Sequence, residues 1–312
     1  QKGLMVGGPM GHADYNVAYF EKTPELYEDT PLNYYFTVTA GGQQYGLPFN
    51  PDVPVFPAIE QCQGMTWLEY QAGSPDLPVA ATFRFDAPFY PQDLKASCAP
   101  YLRLRVKLEN LTGRKVDVRL VVGREQRPSD QVGSARLAGW KGLLFRSPVF
   151  GLSSDWYWLV PEKWAPGRVA SSAHITGVRV DTNPSSFQTD REGRVVLPVL
   201  WDRPLCGLEA TVTLDPFAVV EVLLLWVAWV QEPVLEALGK RYRFVYTRLF
   251  ADPEEVVRYA EESREDLERR VDVFERTVTD ATLPQSLKNF LAFAFQSWVM
   301  NTWYLTDEAG HD

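Results

Sequence analysis

Between Tyr101 and Gly123 apolar and polar residues alternate with a period of two. Leu102, Leu104, Val106 and Leu108 interleave with Arg103, Arg105, Lys107 and Glu109, and Val116, Val118, Leu120 and Val122 resume the alternation after Asn110-Leu111-Thr112-Gly113-Arg114. The spacing predicts two half-buried strands joined as a hairpin. The same period puts Val79, Ala81, Phe83 and Phe85 on one face of a strand and marks another over Leu208 to Leu214, before the Asp215-Pro216 break. Phe217 to Val230 is apolar almost throughout but contains Glu221. It is short of the roughly 20 residues a membrane span needs, and it reads as a strand buried on both faces. The 23 prolines and 21 glycines concentrate before residue 220, which favours strands joined by turns and predicts a large β-sandwich. Gly41 to Pro57 and Arg127 to Gly142 read as long loops of the kind that carry functional or interdomain surfaces.

From Asp252 the period changes to about 3.6. Asp252 suits an N-cap, Pro253 the first helical position, and Glu255 the third residue of an acidic capping box. Val256, Ala260, Leu267, Val271, Phe274 and Val278 form one stripe. Glu254/Arg258, Glu265/Arg269, Asp266/Arg270 and Asp272/Arg276 are acid-before-base pairs four apart. A single amphipathic helix of roughly 39 Å is predicted, long enough to bridge two domains. A second helix is predicted from Pro284, with Thr282 as its cap. Its residues Leu287, Phe290, Leu291, Ala294, Phe295 and Trp298, with Leu305 beyond, leave little polar face and imply burial inside a larger helical assembly.

Composition narrows the partners. Forty acidic and 31 basic residues give a net charge of −9, which offers no basic field for nucleic acid or anionic lipid. A neutral or cationic small partner is easier to accommodate, and a homo-oligomer is allowed. Cys62, Cys98 and Cys206 are odd in number and widely spaced. They suggest neither a disulfide framework nor a CxxC metal site, and buried free thiols are expected. Localisation stays open, with the cytoplasm favoured. Gln1-Lys2-Gly3 has no initiator Met and no charged-then-apolar targeting pattern, so the start is expected to be clipped or to lie downstream of the natural one.

Candidate chemistry is sparse. His12, His174 and His311 are scattered without a metal-ligand spacing, so no metal is expected. His311 beside Asp312 is a candidate substrate contact, set against an ordinary loop histidine. Asp307, Glu308 and Asp312 follow an inner helix, where helical barrels place active-site loops; the plainer reading is solvated loop acids. Asp155-Trp156-Tyr157-Trp158, followed by Trp164, concentrates aromatic rings that suit sugar faces as well as cores, and Trp156 and Trp158 are candidate substrate-binding residues. Gly7-Gly8-Pro9-Met10-Gly11 is a tight turn without phosphate-loop spacing.

Tyr246-Thr247-Arg248-Leu249-Phe250-Ala251-Asp252, Glu254-Glu255-Val256, and Leu283-Pro284-Gln285-Ser286-Leu287-Lys288 leading to Ser297-Trp298-Val299-Met300-Asn301-Thr302 together resemble the hinge of glycoside hydrolase families 52 and 116. Pro9-Met10-Gly11 resembles a small-residue turn near the start of those proteins. The likeness is specific over residues 246 to 305 and follows the rest of the chain only in order of elements. It implies an N-terminal β-sandwich joined to a C-terminal (α/α)6 barrel, and cleavage of β-glucosides or β-xylosides with retention. In those families the nucleophilic glutamate lies in a Glu-Gly segment after the first barrel helix, and the acid/base aspartate lies much further on. Neither matches a position here, and Glu308, followed by Ala309 and Gly310, is a poor substitute.

The chain is therefore expected to be mainly β, with a sandwich over 1–245, a linker with a long amphipathic helix over 246–282, and the start of a truncated barrel over 283–312. The resemblance implies a double displacement on carbohydrate, without metal or cofactor, by groups beyond residue 312. Two alternatives stay open: an inverting α-glycosidase or sugar phosphorylase of similar layout, and a noncatalytic carbohydrate-binding or scaffold sandwich.

Overall fold

A computed structural model of the 312-residue chain describes residues 4–6, 13–15, 34–48, 53–125, 130–149, 152–162, 173–181, 205–301 and 304–310. Strands β1 (Leu4–Val6), β2 (Ala13–Tyr15), β3 (Tyr34–Ala40), β4 (Gln43–Gly46), β5 (Ala58–Gln63), β6 (Trp67–Gly73) and β7 (Val79–Asp86) precede a short helix, α1 (Leu94–Cys98). There follow β8 (Tyr101–Asn110), β9 (Val116–Glu125), β10 (Gln131–Leu137), β11 (Trp140–Val149), β12 (Leu152–Pro161), β13 (Ala173–Asp181), β14 (Leu205–Leu214) and β15 (Val219–Val230). The chain then runs through β16 (Leu235–Ala237), β17 (Lys240–Phe244), α2 (Tyr246–Leu249), α3 (Pro253–Glu262), α4 (Arg264–Thr279), α5 (Gln285–Asn301) and β18 (Leu305–Asp307).

The fold is mainly β, a sandwich of antiparallel sheets. One sheet has the order β10-β11-β12-β15-β8-β7-β6-β5 and the other β13-β14-β9-β3-β4. The period-2 residues of β7, β8, β9, β14 and β15 meet between them in a single core. At its centre Trp158 and Trp226 are register partners on β12 and β15, their rings stacked 4.5 Å apart at 9°. Phe36 and Phe85 close on Trp226 from the sides, at 6.1 and 6.2 Å.

The sheet order corrects one expectation from the sequence. β8 and β9 do not form a hairpin: β8 pairs with β7 and β15, and β9 with β3 and β14. The five residues between them cross from one sheet to the other. Period-2 alternation reports only that one face is buried, and both strands satisfy it from opposite sides of the same core.

Asn110, 1% exposed, holds this crossing. Its Nδ2 donates to the carbonyls of Arg114 at 2.7 Å and Asp215 at 2.8 Å, while Oδ1 accepts from Thr112 N at 2.9 Å and Thr112 Oγ1 at 2.8 Å. Asn110→Ala is expected to cost about 2 kcal/mol in urea unfolding, since buried carbonyls and a backbone N–H lose their partner. A loss below about 0.5 kcal/mol would mean that water replaces the side chain there.

Other expectations shift as well. Much of Arg127 to Gly142 is not loop: β10 and β11 form a hairpin through Ala138 and Gly139, both at positive φ. β10 lies on a sheet edge and is partly solvated, so it lacks the alternation of an inner strand. Within Gly41 to Pro57, Gln43–Gly46 is β4, paired with β3 through the left-handed Gly41-Gly42 turn. β15 is buried on both faces as expected, one toward the sandwich core and the other toward the helices. Cys98 and Cys206 are buried free thiols and Cys62 is half-buried.

The single long helix is two. α3 and α4 meet at Ser263, whose hydroxyl donates to the Tyr259 carbonyl. Such back-bonding bends helices. Asp252 caps α3 by accepting from Glu255 N at 2.8 Å, as expected; the reciprocal bond runs from Ala251 N to Glu255 Oε2 at 2.7 Å, one residue earlier than in the usual box. Arg269 pairs with Asp266 rather than Glu265. Thr282 does not cap α5, because the Pro284 carbonyl already accepts the opening helical N–H groups, from Leu287 and Lys288. Leu305 is not a helix residue: it opens β18, which pairs with β17.

Candidate functional site

The outer face of the eight-stranded sheet carries the helices. Leu223, Leu225, Val227 and Trp229, the residues of β15 that turn away from the sandwich, pack with Phe244, Tyr246, Phe250, Val256, Val257 and Ala260 into a second core. The Tyr246-to-Asp252 segment supplies its corner. Tyr246 is buried and its hydroxyl accepts from Val230 N at 2.9 Å, which satisfies a backbone donor near the end of β15. Burial pushes its phenol pKa above the ordinary range. Thr247 Oγ1 donates to the Phe244 carbonyl at 2.8 Å, and Arg248 Nη1 to Thr306 Oγ1 at 3.1 Å and the Gly310 carbonyl at 2.9 Å. Phe250 fills the core and Asp252 caps α3.

Three polar contacts then fix α3 and α4 on the sheet. Arg103 occupies an outward position of β8 yet is 3% exposed. Its guanidinium donates to the Ala260 carbonyl beside the Ser263 bend and pairs with Glu268 at 3.2 Å. Asp93 caps α1 through Ala96 N at 2.8 Å and takes Arg270 of α4 at 2.8 Å on its other oxygen. Glu275, 7% exposed, accepts from Met65 N at 2.9 Å, Thr66 N at 2.7 Å and Thr66 Oγ1 at 2.7 Å. This carboxylate caps the turn between β5 and β6 and pins it to α4. Gly64 lies so close that a Cβ there would overlap the Trp67 indole and come within 2.7 Å of Glu275 Oε2.

Two hollows open along this seam. The polar one, about 570 Å³, is lined by Trp67, Arg84, Asp86, Arg105, Glu268 and Arg276 among others. Several of its charges are committed to one another. Asp86 holds Arg84 at 2.9 Å and Arg105 at 2.7 Å, Arg276 holds Asp272 at 2.9 Å, and the Arg84 guanidinium lies 4.3 Å from the Trp67 ring centre. Burial works against the Arg105 cation, but the Asp86 carboxylate outweighs it and the pKa is raised. Carboxylates neutralised in this way are not poised as nucleophile or acid for glycosyl transfer. The second hollow, about 780 Å³, is apolar and lies between the α1 segment, α4 and α5.

The residues singled out in the sequence are placed elsewhere. Trp158 is 3% exposed and stacks on Trp226, so it offers no ring face to a sugar. Trp156, two residues before it on β12, is half-buried against the same core and donates its indole N–H to Ser154 Oγ at 2.9 Å. Tyr157 between them belongs to the second core. Trp164, His12, His311 and Asp312 lie outside the described residues, and His174 is on β13. Asp307 is not a solvated loop acid: it is 5% exposed, sits on β18 and pairs with Lys240 at 2.6 Å. That hydrogen bond raises the Lys240 pKa. Glu308 is exposed.

Glu275, Arg103 and Asp93 were missed. In sequence Glu275 is one acid among many on a charged helix. Its one signal is that it lies at the margin of the apolar stripe with no basic residue three or four positions away. Among the described residues no group of His, Cys, Asp or Glu is placed to hold a metal ion, and no helix is long and apolar enough to cross a membrane.

A family model described as glycosyl hydrolase family 52 matches residues 220–312, less than a third of the chain. The matched stretch runs from β15 through β18 and is the part that builds the seam with the helices; it is glycosyl-hydrolase-like in sequence. A search of curated proteins finds no match. Among solved structures the chain is similar to a putative kojibiose phosphorylase from human microbiome, at 6% identity and a TM-score of 0.42, over 77% of this chain and 27% of that one. The chain thus spans about a quarter of that protein's length.

Proposed function

We propose that this chain is the sandwich and linker portion of a longer retaining β-glycosidase acting on β-glucosides or β-xylosides, with both catalytic carboxylates following Asp312. The observation that carries the reading is the family 52 match over 220–312, which falls on the same elements as the resemblance read from Tyr246 to Leu305. In this reading the sandwich is a platform. β15 and the Arg103, Asp93 and Glu275 contacts orient α3 and α4, and these present α5 as the first helix of an (α/α)6 barrel. The exposed side chains of Leu287, Phe290, Phe293 and Trp298 on α5 supply the apolar surface such a barrel would cover. Catalysis would proceed by double displacement through a glycosyl-enzyme intermediate, with two carboxyl groups about 5 to 5.5 Å apart.

The test compares the 312-residue chain with the product of the reading frame continued past Asp312, on aryl β-glucoside and β-xyloside, following the anomer released. The longer product is expected to turn over with retained configuration, and the 312-residue chain to show no turnover above background. Turnover by the 312-residue chain that disappears on Asp307→Asn or Glu308→Gln would overturn the proposal. Inversion by the longer product would move it to another class of carbohydrate-active enzyme.

A further inference from the structure

The apolar hollow between α1, α4 and α5 is walled by an aromatic array. Phe89 meets Phe295 edge-to-face at 5.3 Å and Trp298 at 6.2 Å, and Phe274 meets Phe295 at 5.3 Å. Leu291 and Val278 complete the walls. Its volume of about 780 Å³ lies within the range of sites for drug-sized ligands.

Most polar atoms around it are already used. Both Asp93 oxygens are taken, by Ala96 N and Arg270; Ser97 Oγ donates to the Tyr90 carbonyl and Thr277 Oγ1 to that of Phe274. Two groups remain. Neither the Gln92 amide nor the Tyr304 hydroxyl has a hydrogen bond to any of the described residues, and both line the hollow. Gln92 also holds φ at +69°, a region non-glycine residues seldom adopt and one that clusters at ligand clamps. Burial, and then Cys98, raise the Tyr304 pKa, so its hydroxyl stays protonated as a donor at neutral pH.

We propose that this hollow binds a small neutral molecule with a ring-shaped apolar body and a single hydroxyl or carbonyl group, held by aromatic walls and oriented by Gln92 and Tyr304. A charged ligand would find no uncommitted counter-charge. A sugar would bring more hydroxyls than two side chains can satisfy, and leaving them unpaired opposes binding. The inference is argued for the 312-residue chain and does not use the glycosidase reading, although Trp298 borders both this hollow and the α5 surface assigned there to a barrel.

Isothermal titration of the 312-residue chain with 2-naphthol tests it, with glucose for comparison. Saturable one-site binding of 2-naphthol and no heat from glucose are expected. Leu291→Trp, which fills the hollow, is expected to weaken binding at least about tenfold, and Gln92→Ala about fivefold for one lost hydrogen bond. Phe293→Ser, on the exposed side of α5, is expected to leave affinity unchanged. Where circular dichroism shows Leu291→Trp unfolded, Val278→Phe fills the hollow from α4 and is read in the same way. Absence of saturable binding, binding untouched by the filling variant, or binding abolished by Phe293→Ser would each overturn the proposal, the last by placing the probe on the open face of α5.

Discussion

Trp226→Ala is expected to lower the stability of the 312-residue chain by about 4 kcal/mol in urea unfolding, the usual cost of emptying a buried tryptophan site. Trp226 is 1% exposed at the centre of the sandwich core, stacked on Trp158 with Phe36 and Phe85 at its sides. These neighbours belong to strands of both sheets and are held in register, so the space left by the indole cannot collapse without moving backbone. Trp226→Phe keeps an apolar ring and is expected to lose less than half as much. The double change with Trp158→Ala is expected to cost less than the sum of the singles, because the two rings share one contact. A single-variant loss below about 1 kcal/mol would mean that the stack does not anchor the core.

Glu275→Ala is expected to cost about 3 kcal/mol. The substitution removes one carboxylate and strands three buried donors, Met65 N, Thr66 N and Thr66 Oγ1, in a turn that α4 shields from water. Hydrogen exchange separates this from a general loss of stability: the Met65 and Thr66 amides should lose protection while those of β15 keep most of theirs. Glu275→Gln should fall between, since its amide retains one acceptor oxygen but presents N–H groups to a donor. Unchanged exchange at Met65 and Thr66 would show that the tether is not what holds that turn. In the proposed longer enzyme the same variant should loosen α4 on the sheet and, through it, the placement of α5.

The legible parts of the chain were those whose signal is local. The alternation in β7, β8, β9 and β14, the unbroken apolar run of β15 and the Asp252-Pro253 start of α3 each depend on residues within a turn or two of one another. Sheet membership was not legible, as the false hairpin at Asn110 shows: a strand facing the core from either side carries the same pattern. Nor was the bend at Ser263, because a hydroxyl in a helix either points to solvent or bonds back to the preceding turn according to what packs nearby. The aromatic cluster at Trp156 to Trp158 was read as open to two roles. The pairing of Trp158 with Trp226, 68 positions later, places that ring in the core.

What the sequence by itself determined is the buried face of β7, β8, β9 and β14, the burial of β15 and where the β region yields to helices, since period and capping are encoded within a few residues. Only the tertiary structure decided that a helix acid, Glu275, caps a turn more than 200 positions away, that Arg103 on a strand holds the Ala260 carbonyl, and that Asp307 is paired on a sheet edge. Each of those roles depends on desolvation and on a partner brought by folding, and neither is written in the spacing of neighbouring residues.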